Sequence, residues 1–145
     1  MMLDAAELVA SCRVNLFEVE NKMLSQPQVQ MRLVHHFAPG LYARELHIPK
    51  GIMLTGKLHK FAQLNFMLKG DLSVMLEDGI HRVIAPFTVV SPPGTKRIAY
   101  AHQATIWTTV LPTEETDPDI IEEQFTANSE QEFLAFCEDE RKKIA

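Results

Sequence analysis

The sequence predicts a mainly β protein, an antiparallel sandwich or barrel with helices at both ends. Three observations carry that prediction. From about Met31 to Leu111, short runs rich in β-branched and aromatic residues follow one another, divided by Gly and Pro. No helical periodicity separates those runs, which argues against alternating strand–helix units. Asp78-Gly79 lies between two of them, and that pair accepts the positive φ of a tight hairpin turn.

The N-terminal segment, Asp4 to Leu24, reads as a helix. Asp4 and Glu7 have the spacing of a capping box, Leu8, Cys12, Val19 and Met23 share a face, and Pro27 ends the run. That face is expected to dock on the body or on a neighbouring subunit. Candidate strands follow at 31–37, 42–48, 53–59, 63–69 and 72–77, then at 81–84, 88–90, 97–101 and 105–111. After Pro112 the chain returns to helix. Asp117-Pro118-Asp119 opens a short one through Phe125. Ser129 and Glu132 form a second capping box for a helix to about Lys143, whose basic end suits the helix dipole. Phe133, Phe136 and Cys137 form its expected buried face. The organisation is therefore an N-terminal helix over 1–27, a β-barrel over 28–112 and an acidic helical segment over 113–145.

The chain has 145 residues, 46% hydrophobic and 23% charged, which fits one globular domain and is too apolar for a disordered chain. No apolar run approaches the ~18 residues of a membrane-spanning helix. The first residues lack the basic start and apolar core of a secretory signal. A soluble cytoplasmic protein with no membrane partner is the expectation. Cys12 and Cys137 make neither a disulfide framework nor a zinc motif and read as small buried groups. Residues 1–112 carry 11 Lys/Arg and 8 Asp/Glu, whereas residues 113–145 carry 3 and 11. The acidic tail argues against nucleic-acid binding, which relies on neutralising many phosphates. The mildly basic body leaves room for a local anion site.

Gly51, Lys57, His59, Gln63 and Gly70 stand at the spacing of a Gly, five residues, His-x-His, three residues, Glu, six residues and Gly. Pro92-x-Gly94 follows, with Arg97 three residues beyond. Over roughly residues 40–112 this pattern resembles the two motifs of the cupin superfamily. The resemblance implies a cupin-like jelly-roll β-barrel with a ligand cavity inside. It also marks the departures. Where such barrels carry two histidines, a glutamate and a further histidine as metal ligands, this chain has Lys57, His59, Gln63 and Arg97. Lysine and arginine stay protonated and offer no lone pair to a cation. The expectation is no cofactor, with His59 the one remaining site through which a reorganised metal could bind.

Strand alternation puts Lys57, His59, Gln63 and Asn65 on the inward face, and Arg97 enters from the opposite side. Tyr42 and Arg44, two apart in an earlier strand, can join them, and His102 lies near the expected mouth. A pocket of Lys, His, Gln, Asn and Arg suits a phosphate, carboxylate or nucleotide-like molecule. The bland alternative is that Lys57 and Arg97 reach the rim or pair with Glu45, leaving an empty barrel. His35 and His36, adjacent in one strand, point to opposite faces and cannot chelate together. His47 and His81 read as surface or strand residues, and Trp107 and Tyr100 as core. No Gly-rich phosphate loop, nucleophile elbow or carboxylate pair supports catalysis.

Lys57-Leu58-His59-Lys60, Pro92 to Arg97 and Thr105 to Thr109 also resemble small cupin-like proteins of bacteriophages and prophages. Three functional readings follow. The first is a non-catalytic protein that binds a small anionic molecule, forms a homo-oligomer (a dimer or larger) and, if phage-encoded, sequesters a host signal in the host cytoplasm. The second is a virion or assembly component built on the same scaffold. The third is an enzyme, either metal-dependent through His59 or a metal-free isomerase using His59 with Tyr42 or Lys57.

Overall fold

The structure, a computed structural model, describes residues 5–76 and 78–144, with side chains described from Arg13 onward. Helix α1 spans Ala5–Leu24. Strands β1 (Arg32–Ala38), β2 (Leu41–Ile48), β3 (Met53–Thr55), β4 (Leu58–His59), β5 (Gln63–Leu76), β6 (Gly79–Ile84), β7 (Phe87–Ser91) and β8 (Ile98–Pro112) follow. Then come α2 (Pro118–Phe125), β9 (Thr126–Ala127) and α3 (Glu130–Ile144).

Seven strands form an antiparallel sheet in the order β1-β2-β8-β5-β6, with β3 added to β8 and β7 to β5. Strands β4 and β9 form a separate two-stranded pair. Pro39-Gly40 closes the β1–β2 hairpin, Gly40 taking φ 74°, the left-handed conformation that a type II turn requires at its third residue. Register then pairs Phe37 with Tyr42 and His35 with Arg44. The inward residues Leu46, Met67, Leu72, Val74, Val83 and Ala101 make the main core, with Trp107 packed against it.

Two long strands replace four of the expected short ones. Gly70 does not end a strand but sits in a bulged stretch of β5, where the pairing with β8 shifts register. Its φ is 123°, and a Cβ there would fall 2.7 Å from the Thr105 Cα, so only glycine fits this approach. The expected strand at 53–59 instead divides at Gly56. Gly56 N donates to Arg97 O at 2.9 Å, and the chain then leaves the main sheet to pair with β9.

Helices α1 and α3 lie on this scaffold through an apolar cluster of Leu58, Ala127 and Phe133, against which Phe17 packs, and α2 through a separate cluster of Tyr42, Leu111, Ile121 and Phe125. Asp117 caps α2, accepting from Asp119 N at 3.0 Å, with Pro118 in the first turn. At α3, Ser129 Oγ accepts from Glu132 N at 3.0 Å while Glu132 reaches back to Asn128 N. The Asp4–Glu7 capping box and the side chains of Leu8 and Cys12 lie outside the described residues.

Two expectations are corrected here. On α3 Phe133 is buried, but Cys137 is exposed, because the helix meets the body along a narrow stripe. On α1, Val19 of the expected apolar face is 37% exposed and Met23 half-buried, and the described residues that turn to the body also include Arg13, Leu16, Phe17 and Glu20. Arg13 donates twice to Glu130, each at 2.7 Å, and lies over the Phe133 ring. Glu20 pairs with Lys96. Charged residues with partners do the docking, and a hydrophobic pattern does not reveal them.

Candidate functional site

A cavity of about 460 Å³ opens between the sheet and α2. Its polar wall is assembled from five strands. From β2, alternation turns Tyr42, Arg44 and Leu46 to the same side. His35 joins them because the hairpin register sets it opposite Arg44. Strand β5 contributes Gln63 and Asn65, β4 contributes His59 with Lys57 just before it, and β8 contributes Trp107 and Thr109. Arg97 enters from the turn ahead of β8. Helix α2 forms the roof with Asp119, Ile121, Glu122 and Phe125.

The polar groups divide into those the protein employs and those it leaves over. Thr109 Oγ1 donates to Asn65 Oδ1 at 2.8 Å, and Asn65 Nδ2 donates to Ser91 Oγ at 2.9 Å. Arg97 Nη2 donates to that same hydroxyl at 2.9 Å, and Nη1 to Met75 O at 2.8 Å. Asn65 and Arg97 are therefore held in a network rather than waiting for a ligand. Lys57 is half exposed at the rim, its Nζ 4.0 Å from Glu122 Oε1. Tyr42 Oη and His35 Nδ1 are 2.7 Å apart, with the rings stacked. Burial of the Tyr42 phenol pushes its pKa above the ordinary tyrosine value.

Three groups are left over. The Arg44 guanidinium makes no hydrogen bond or ion pair to any described residue, although it lines the cavity. Gln63 is 5% exposed and its Nε2 has no acceptor among the described residues. The buried Nδ1 of His59 likewise has no partner. Desolvation, then the charges of Arg44, Arg97 and Lys96, push the His59 imidazole down to about 4, so it is neutral at pH 7. A buried donor without an acceptor costs about 1–3 kcal/mol, so such groups need a reason to persist.

His102 is corrected: it is not part of the cavity wall. Ala101 points into the core, so strand alternation turns His102 outward, where its Nε2 meets Ser73 Oγ at 2.7 Å. Tyr100 shares that outer face, 37% exposed and edge-on to His102, rather than sitting in the core. Glu45 is on the outer face as well, its oxygens 3.2 Å from His36 Nε2 and 2.5 Å from His47 Nε2. It is therefore engaged by histidines, and neither Lys57 nor Arg97 pairs with it.

The residues do not fit the metal that cupin barrels commonly hold. At the motif positions stand Lys57, His59, Gln63 and Arg97, of which His59 alone is an ordinary ligand. Among the described residues no group of three His, Cys, Asp or Glu side chains could hold an ion. The positive field that depresses His59 would also oppose a cation there.

Sequence reasoning missed His35 and all of α2. The Pro39-Gly40 turn carried the signal for His35, since a two-residue hairpin puts residues 35 and 44 side by side. For α2 no such signal exists, because its seat over the cavity is a tertiary contact.

The architecture is mainly β, a cupin-type jelly roll with flanking helices. Similar solved structures include cupin-superfamily and double-stranded β-helix proteins. A conserved protein with a double-stranded β-helix domain from Klebsiella pneumoniae is 12% identical and superposes with a TM-score of 0.50, over 63% of this chain and 80% of its own. A cupin superfamily protein from Desulfitobacterium hafniense gives 0.49 at 8% identity, over 61% and 83% of the two chains. KdgF from a Halomonas species gives 0.48 at 22% identity, over 61% and 84%. No protein-family model matches the chain, and no curated protein matches it. Among the described residues no helix is long and apolar enough to cross a membrane.

Proposed function

We propose that this protein is a non-catalytic binding protein whose cupin-type cavity holds a small anionic molecule against Arg44, beside His59 and Gln63. One observation carries the reading: a guanidinium lines a cavity wall with no carboxylate partner among the described residues. Arg44 is half-buried, and a charge partly withdrawn from water gains from an anionic partner. Gln63 Nε2 adds a donor without an acceptor on the same wall. The neutral His59 can then accept or donate according to its tautomer.

Titration calorimetry of the full chain with acetate, inorganic phosphate, longer carboxylates and nucleoside monophosphates tests this reading. Saturable binding of at least one anion, weakened tenfold or more by Arg44→Gln, supports it. Binding that ignores Arg44, or no binding at all, overturns it.

The Tyr42–His35 contact of 2.7 Å on the same wall favours a second reading, metal-free proton transfer on the bound molecule. Turnover of a bound carboxylate, lost in Tyr42→Phe while binding persists, is what that reading requires.

A further inference from the structure

The anion reading leaves the rest of the ligand open, and the cavity's own charge and apolar surface narrow it. Resting on that reading, we infer that the ligand is an amphipathic monoanion: one carboxylate-like head on an apolar body, rather than a sugar phosphate or a nucleotide. Among the described lining residues the cations are Arg44, Lys57 and Arg97, and the carboxylates are Asp119 and Glu122. Lys57 faces Glu122, and Arg97 is committed to Met75 O and Ser91 Oγ. Three cations against two carboxylates leave a net surplus of one positive charge, and Arg44 is the cation whose guanidinium has no hydrogen bond or ion pair to a described residue. A ligand with two or more negative charges would turn its excess toward Asp119 and Glu122 in a partly enclosed space, where repulsion is poorly screened.

The remaining wall is apolar on both sides of this polar band. Leu46, Leu72, Val74 and Trp107 lie on the sheet side, and Ile121 and Phe125 on the α2 side. The sheet-side residues belong to the main core, so their place is fixed by packing. Ring or chain hydroxyls set against such surfaces lose their water and gain no partner, which disfavours a sugar. Methylene or aryl groups gain instead. A volume of about 460 Å³ is within the range that holds a small organic molecule.

The test is titration of the full chain with butyrate, hexanoate and octanoate, with 3-phenylpropionate, with octanamide as the neutral counterpart, and with inorganic phosphate and glucose 6-phosphate. Affinity is expected to rise about threefold to fourfold per added methylene. Octanamide is expected to bind at least tenfold more weakly than octanoate, a difference erased by Arg44→Met. The amide comparison needs no variant and so stands even where Arg44→Met fails to fold. Equal or tighter binding of phosphate or glucose 6-phosphate overturns the amphipathic ligand while leaving the anion site intact. Equal binding of octanamide and octanoate overturns the anion site itself, and absence of binding by every probe overturns both.

Discussion

The Lys96 ammonium, with its side chain 1% exposed, lies 2.8 Å from Glu20 Oε2, and this ion pair ties α1 to the turn that carries Arg97. The same carboxylate accepts from Thr55 Oγ1 at 2.7 Å, and Lys96 Nζ donates to Gly56 O at 2.8 Å. Lys96 also lies over the Phe17 ring at 4.4 Å. Thr55, Gly56 and Arg97 all line the cavity. Helix α1 thus shapes the cavity although none of its described side chains lines it.

Removing the carboxylate leaves a buried ammonium without its counter-charge. Glu20→Ala is expected to lower stability by roughly 2–4 kcal/mol, and Glu20→Gln by less, because its amide oxygen still accepts. Urea unfolding at neutral pH measures both. Equal stability of wild type and Glu20→Ala would show that α1 is not docked this way. Burial acts to raise the Glu20 pKa, but hydrogen bonds from Lys96 and Thr55 outweigh it and hold the carboxyl below its ordinary value of 4.5. The pair's contribution is therefore complete above that pH and fades as pH falls through the lower, folded-state value.

His59 sets a second pH dependence. Its imidazole titrates at about 4 when folded and near 6.5 when unfolded. Between those values the unfolded chain binds more protons, so stability is whole above pH 6.5 and declines toward pH 4, by about 3 kcal/mol in all. His59→Gln should flatten that part of the profile. Unfolding curves collected from pH 4 to 7 on both proteins decide it, and parallel profiles would contradict the buried, neutral imidazole.

Gly70→Ala should be severely destabilising, by roughly 2–4 kcal/mol, because the added Cβ meets the Thr105 backbone and the φ of 123° is strained for any side chain. Gly79→Ala shares the strain but meets no atom within 4 Å, so it should cost less. Thermal unfolding of the two variants side by side isolates the steric part. Equal losses would remove the close approach as the reason for glycine at position 70.

The β architecture was legible because turns and runs are local properties. Asp78-Gly79 and the Gly and Pro punctuation report on the few residues around them, and the motif spacing through Gly51, His59 and Gly70 reaches across the β region. Strand parity likewise put Tyr42, Arg44, His59, Gln63 and Asn65 on one wall. What was illegible depends on partners distant in sequence. Arg97 has the chemistry of an anion ligand, yet Met75 O and Ser91 Oγ engage it. His102 was misplaced because nearness to the expected mouth was weighed above parity: Ala99, Ala101, Trp107 and Thr109 face inward, so plain alternation turns residue 102 to the outer face. Glu122 sits opposite Lys57 only because β9 pairs with β4 and swings α2 over the cavity.

Arg44→Gln removes one of the charges that depress His59, so the imidazole pKa should rise from about 4, with burial still keeping it below the free value. Histidine ring resonances followed by NMR report the shift. No change would mean that the guanidinium does not face His59 in solution.

A bound anion must act on His59 in the same direction, since a negative charge at Arg44 cancels part of the field that holds the imidazole neutral. The most direct measurement is therefore the His59 pKa in the full chain, by NMR, with and without saturating octanoate. The predicted result is an upward shift on binding that is absent in Arg44→Gln. An unchanged His59 pKa while octanoate is demonstrably bound would place the anion elsewhere and contradict the cavity as its site.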